Sequence, residues 1–266
     1  SAKLIPCHTT ELGTAAITQK NNPYIFRYFP GDAVVKRAQV AFAVEERKVK
    51  KPAILYQTDA YGQSGHAEML KALKRYGITP VYEDALDTSV KDMAPTLSKA
   101  KAAGADSLLL QLHGGSTALV LKTAAAMKLG MVIVAGSAIS QPSVVALVDP
   151  KELAGTCGET GSSPLSAETP EMKTFLADYR KAFNRDPDAF AVGQYDGIAM
   201  ALDAVAHGAT TAAEVTKALS TMSYKGLAMT YKSNGHGDMA HSAVIICYDG
   251  KSRSPQIAKH YEYPGD

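Results

Sequence analysis

Ala53-Ile54-Leu55-Tyr56, Thr79-Pro80-Val81-Tyr82, Ser107-Leu108-Leu109-Leu110-Gln111-Leu112 and Met131-Val132-Ile133-Val134-Ala135 are four short apolar runs. Stretches of helical period separate them. Met69, Leu70 and Leu73 recur at helical spacing within residues 64–76, and Gly77 stops them. Residues 92–103 end at Gly104, and residues 116–128 form the next helix. A short helix near 142–148 then precedes a strand at 155–159. Strands that alternate with helices at this spacing build βαβ units, hence a parallel sheet covered on both sides. The run at 107–112 is nearly continuous in leucine, as a strand buried on both faces requires.

Working outward, Val34 to Val49 reads as a helix leading into this sheet. Lys3 to Pro6 and the alternating Tyr24 to Phe29 read as two front strands. Behind the sheet the pattern turns helical: an amphipathic Pro170 to Asn184, a longer Ala189 to His207, and Thr211 to Thr221 with a threonine cap and Glu214 in its first turn. Leu227 to Tyr231 and Ala243 to Tyr248 flank Asn234-Gly235, a dipeptide that favours a hairpin between them. One lobe is therefore complete over residues 31–187. Residues 1–30 and 188–266 are too few for a second full α/β lobe and read as its remnant.

The chain has 266 residues, 46% hydrophobic and 20% charged, with a net charge of +2. That size allows one large or two ordinary domains. The charge is too small to point to nucleic acid or a membrane surface. No apolar run approaches the ~20 residues of a membrane span, and no signal peptide is legible at the front. Cys7, Cys157 and Cys247 are odd in number, far apart and without metal-ligand spacing. A disulfide framework is not expected, although one bridge stays open, and Cys247 reads as a small core residue. There is no Gly-x-Ser-x-Gly elbow, P-loop or dinucleotide fingerprint, and His236 and His241 lack a zinc spacing. Neither an enzyme nor a cofactor is expected.

The order of these pieces resembles a known family. Asn22-Pro23-Tyr24-Ile25-Phe26-Arg27, Asp59-Ala60-Tyr61-Gly62-Gln63-Ser64 (with Ser64 where the family has Gly), Ala103-Gly104-Ala105-Asp106, Phe183-Asn184-Arg185-Asp186-Pro187, Gln194-Tyr195-Asp196-Gly197 and Asn234-Gly235-His236-Gly237-Asp238 follow one another as in the type I periplasmic binding proteins of the branched-chain-amino-acid group. The resemblance implies a type I periplasmic-binding-protein fold. This α/β fold would have one complete parallel-sheet lobe and an incomplete first lobe, short of roughly three βα units of ~30 residues each. It implies a periplasmic substrate-binding component of an ABC transporter, whose partners are a small-molecule ligand and a membrane permease. A ligand-sensing or receptor domain of the same fold is the rival reading, since fold alone does not decide. An incomplete lobe would expose an edge and an apolar helix face, from which self-association is expected.

The family's cleft takes ligand groups from loops at the carboxyl ends of strands. Carried over, this places Cys7, Thr9 and Thr10 in the loop after the first strand, Thr9 being the better match for a ligand-binding hydroxyl. A helix cap is the competing reading of both threonines. Tyr61 would cover the ligand. His113, before Gly114-Gly115 and a helix start, would stack on it or donate to a carboxylate. Ser137 stands where amino-acid binders carry an acid for the α-ammonium. A buried ammonium without a counter-charge is costly, so a carboxylate without an amine, aromatic or aliphatic, fits better unless Asp196 or Glu11 moves in. Tyr195 serves packing first and ligand contact second.

Overall fold

The structure is a computed structural model and describes residues 6–9, 13–18 and 22–263. The expected strand at Lys3 to Pro6 lies, apart from its last residue, outside them, as do Thr10 and Glu11. The chain opens with two short parallel strands, β1 (Cys7–Thr9) and β2 (Ile25–Arg27). It then crosses at Tyr28 to Gly31 into α1 (Asp32–Ala41), which loosens into a wider coil over Phe42–Glu46. Next come β3 (Pro52–Gln57), α2 (Ala60–Lys74), β4 (Tyr82–Leu86), α3 (Ala94–Ala102), β5 (Ser107–Gln111), α4 (Gly114–Ala126) and β6 (Val132–Ala135). Strand β4 starts three residues later than expected. Pro80 has no amide to give a ladder, and Val81 instead donates to the Pro52 carbonyl.

Two short helices, α5 (Pro142–Val145) and α6 (Pro150–Leu153), precede β7 (Cys157–Thr160). The rear then holds α7 (Pro170–Phe183), α8 (Ala189–Ala206), α9 (Ala212–Leu219), β8 (Ser223–Lys225), β9 (Thr230–Lys232), β10 (Ser242–Cys247) and β11 (Gln256–Glu262). Asn184 ends α7 in the left-handed region, at φ 51°, where Asn is tolerated better than most residues.

Seven strands form the large sheet, in the order β11-β10-β7-β6-β5-β3-β4. From β7 to β4 the pairing is parallel; β10 and β11 join antiparallel. The expected all-parallel lobe is thus a mixed sheet. The expected assignment of 188–266 to the other lobe is corrected for 242–262, which pair within this sheet. Helix α7 in turn leans on α8 through Phe175 against Tyr195. The Asn234-Gly235 turn does close, with Lys232 N donating to Met239 O, but it joins no two-strand hairpin between 227–231 and 243–248. Strand β9 pairs with β8, while β10 pairs with β7 and β11.

The leucine run explains the layers. Leu108 and Leu110 face α3 and α4, packing with Leu97 and Leu121, whereas Leu109 faces α1 and α2, packing with Ala38 and Leu73. Both faces are dry, as the uninterrupted leucines require. The small lobe has its own core of Phe26, Tyr28, Met200, Leu219, Tyr231 and Met239. One stripe of α8 stays outside it: Tyr195, Ile198, Leu202 and Val205 are all about half exposed or more. Their three- and four-residue spacing puts them on one face.

The single bridge that the cysteine count left open is present, and the reading of Cys247 as a small core residue is corrected. Cys157 and Cys247 form a disulfide. Antiparallel pairing of β10 with β7 sets these two residues directly opposite, and a sequence separation of 90 hides that register. Cys7, at the exposed head of β1, lies outside the bridge.

Candidate functional site

The carboxyl ends of β3, β5, β6 and β7 share one rim. After β3 the chain turns within two residues into α2, with Asp59 as cap accepting from the Gly62 amide at 3.0 Å. The turn needs glycine at 62: a Cβ there would sit 1.9 Å from the Gln57 carbonyl oxygen. Tyr61 is thereby fixed in the first turn of α2. His113 sits where β5 gives way to α4, its amide donating to Gln57 Oε1 at 3.2 Å. Its ring stacks on Tyr61 at 4.9 Å between centroids, and its Nε2 lies 2.6 Å from Asp59 Oδ2. Burial works to raise the Asp59 carboxyl, but hydrogen bonds from His113 and the Gly62 amide outweigh it and hold it below the ordinary range.

The Tyr61 hydroxyl reaches the end of β6, 3.3 Å from where a Gly136 Cβ would stand. Burial raises its pKa far above the usual value, and the nearby Glu159 and Asp32 carboxylates add to this, while a hydrogen bond with Ser137 opposes them. Ser137 is buried, and its amide donates to Glu159 Oε1 at 2.9 Å. Glu159 is wholly out of water beside Lys36 Nζ, 2.5 Å away. Burial raises the Glu159 carboxyl while Lys36 pulls it down. Asp32 opens α1 and takes the Ser64 hydroxyl at 2.5 Å. Burial raises this carboxyl too, with the Lys36 and Arg27 charges pulling the other way. Glu159 Oε2 and Gln111 Oε1 are buried without a partner.

A cavity of about 820 Å³ opens between the lobes. His8 and Thr9 of β1 line one wall, Gln141 and Ser143 after β6 line the opposite one, and Phe190 and Gln194 of α8 close the side. Thr9 thus lies in the cavity, and its carbonyl takes the Tyr28 amide at the crossing. His8 stacks on Tyr28, and burial lowers its pKa, which favours the neutral ring.

Of the residues expected from sequence, Tyr61, His113 and Ser137 come together on the sheet rim, and Thr9 faces the cavity beside it. A one-turn helix at Ser137–Ser140 leads from the rim to Gln141 in the cavity wall. Cys7 is exposed at the head of β1 and does not line this cavity. Tyr195 points away from it, 54% exposed and edge-on to Phe175. Asp196 offers no charge to a ligand: it accepts from the Leu227 and Ala228 amides and the Tyr231 hydroxyl inside the small lobe.

Sequence reasoning missed Lys36, Glu159, Gln111, Arg185 and Phe190. Two signals were present. Glu159 is an acid inside a buried strand, and Lys36 falls on the apolar face of α1 and the wider coil that continues it, with Val40 and Ala43, at i, i+4 and i+7. Among the described residues no cluster of His, Cys, Asp and Glu is arranged to hold a metal ion. No helix there is long and apolar enough to cross a membrane.

Comparison with known proteins gives a consistent picture. Solved structures share the fold at low identity. A solute-binding protein of an ABC transporter from Rhodopseudomonas palustris BisB5, in complex with 3,4-dihydroxybenzoic acid, is 21% identical with a TM-score of 0.85, over 98% of this chain and 73% of that one. A second R. palustris solute-binding protein, in complex with 4-hydroxybenzoate, is 19% identical with a TM-score of 0.82, over 97% and 72%. A leucine-binding protein from Thermotoga maritima is 18% identical with a TM-score of 0.81, over 94% and 71%. All three are binding proteins by description. No curated protein matches by sequence. A profile of the periplasmic binding proteins matches residues 5–251, nearly the whole length, and the chain belongs to that family.

Proposed function

We propose that this non-enzymatic binding protein captures a small carboxylate-bearing solute, an aromatic acid before an amino acid, in the cavity between its lobes for import. The observation that carries the choice is the polar end of the rim. Where an amino-acid binder needs an acid, this chain has Ser137, and the nearest carboxylate behind it, Glu159, is already held by Lys36. Bringing a ligand ammonium there would mean desolvating it opposite a charge that is spent. The Tyr61–His113 stack offers a flat apolar surface with a polar edge, which suits an aromatic ring. Two R. palustris proteins of the same fold hold hydroxybenzoates, which agrees with this choice.

Two finer expectations accompany it: delivery to the membrane permease of an ABC transporter, and a second copy covering the Tyr195, Ile198, Leu202 and Val205 stripe of α8. The Cys157–Cys247 disulfide supports a periplasmic location, since such bridges persist in oxidising compartments. The test is a thermal-shift screen of aromatic acids, short aliphatic acids and amino acids, followed by calorimetry. A ligand at a hundredfold its Kd adds about 2.7 kcal/mol of stability, an easily read rise in Tm. Binding of leucine in preference to benzoate and its hydroxylated forms would contradict the choice of acid.

A further inference from the structure

Besides the polar groups already described, the interlobe cavity is lined by three charged residues, Arg185, Asp186 and Asp188. The two acids are engaged. Asp186 accepts from Arg180 Nε at 2.6 Å, and Asp188 caps α8 by accepting from the Ala191 amide at 2.9 Å. At that cap the carboxylate meets the positive end of the helix dipole. His8 is the other titratable lining group on the β1 side, and its burial favours the neutral ring. Arg185 makes no hydrogen bond or ion pair with any described residue. It follows the left-handed turn at Asn184, which ends α7 and turns the chain toward the cavity.

We infer that Arg185 is the anchor for the solute's carboxylate. The reading rests on this cavity being the capture site. A guanidinium presents a planar fork of donors that matches a carboxylate two bonds at a time, which an ammonium or hydroxyl does not. Around it the cavity supplies neutral donors, Thr9, Gln141, Ser143 and Gln194, for the remaining carboxylate lone pairs, and apolar surface, Phe190 and Tyr179, for the body of the solute. While the cavity is open to water the pair contributes little. Closing the lobes removes water from it and strengthens it, so the anchor favours the loaded, closed form.

The experiment is calorimetry of the wild-type chain, Arg185→Gln and Arg185→Lys against benzoate, 4-hydroxybenzoate, hexanoate, leucine and the neutral isostere benzamide. The expected result is wild-type binding of at least one acid, weakened about tenfold or more in Arg185→Gln. Arg185→Lys retains part of it, benzamide binds both forms equally, and the Tm of the unliganded variants is unchanged. An acid that binds wild type and Arg185→Gln within twofold of each other overturns the anchor and leaves the capture site standing. A wild-type chain that binds none of the four carboxylates overturns the capture reading and the anchor with it.

Discussion

Lys36 Nζ and Glu159 Oε1 lie 2.5 Å apart with both side chains out of water. They tie α1, the helix entered after the crossing at Tyr28 to Gly31, to β7. The residue that follows β7 packs on that crossing: a Cβ on Gly161 would meet Pro30 at 2.9 Å and Phe29 at 3.1 Å. Lys36→Met strips the partner from a fully buried carboxylate, and the expected loss of stability is about 3–5 kcal/mol. Lys36→Met/Glu159→Gln removes the stranded charge and recovers most of it. Urea unfolding of the three proteins reads the difference. Equal stability of the single and double variants would show that Glu159 finds another counter-charge.

The disulfide closes a chain segment of 90 residues across adjacent strands. Constraint of the unfolded chain makes such a bridge worth about 2–4 kcal/mol. Cys157→Ala/Cys247→Ala therefore melts well below wild type, and a reducing agent lowers the wild-type Tm toward that of the variant while leaving the variant itself unmoved. A variant that also responds to reductant would point to a different source of the effect.

What was legible in the sequence was whatever repeats or is bounded by a turn. The leucines of 108–110 gave the central strand, and glycines 77 and 104 gave the helix ends, because a buried strand and a left-handed stop each leave a local mark. Strand β11 left none that stood out: Gln256 to Glu262 alternates exposed and half-buried positions at the sheet edge, with lysine and histidine among them. The Cys157–Cys247 pairing and the Lys36–Glu159 pair were hidden for one reason. Each is a long-range register, fixed by how β10 and α1 sit against β7, and nothing within a few residues of either partner encodes it. Tyr61, His113 and Ser137 could be placed at one end of the sheet because strand-end loops of an open α/β sheet can be located once the strands are. Arg185, on a helix-to-helix connection, lies outside that rule.

Helix α9 offers a pH test on a fully exposed group. The amides and hydroxyls of Thr210 and Thr211 hold the Glu214 carboxyl at about 2. Its folded value lies below its unfolded one, so the capping box stabilises the helix above the ordinary glutamate range of 4.5 and that contribution fades as pH falls toward about 2. Glu214→Ala is then less stable than wild type at neutral pH, by the small amount typical of a cap, and the gap closes in acid. A gap that persists unchanged at low pH would assign the effect to packing instead of the carboxylate.

The rim itself is tested at Tyr61, whose ring and hydroxyl act on different neighbours. The ring stacks on His113, which Asp59 holds from the far side; the hydroxyl reaches Ser137. Tyr61→Phe keeps the stack and removes the hydroxyl beside Ser137, so affinity for an aromatic acid falls threefold to tenfold, the equivalent of about 0.5–1.5 kcal/mol. Tyr61→Ala also removes the surface on which a ring would lie and costs at least about tenfold more. Asp59→Asn releases His113 without touching the stack's other half, and its loss of affinity falls between the two. Hydrogen bonds from His113 and the Gly62 amide hold the Asp59 carboxyl below the ordinary range, so its hold on His113 persists across neutral and mildly acidic pH, and any fall in binding in that window belongs to the solute's own carboxylate. Titration of the three variants against one acid orders these effects. A Tyr61→Ala protein that binds as well as wild type would move the solute off the rim and leave the cavity at Thr9 and Phe190 to hold it alone.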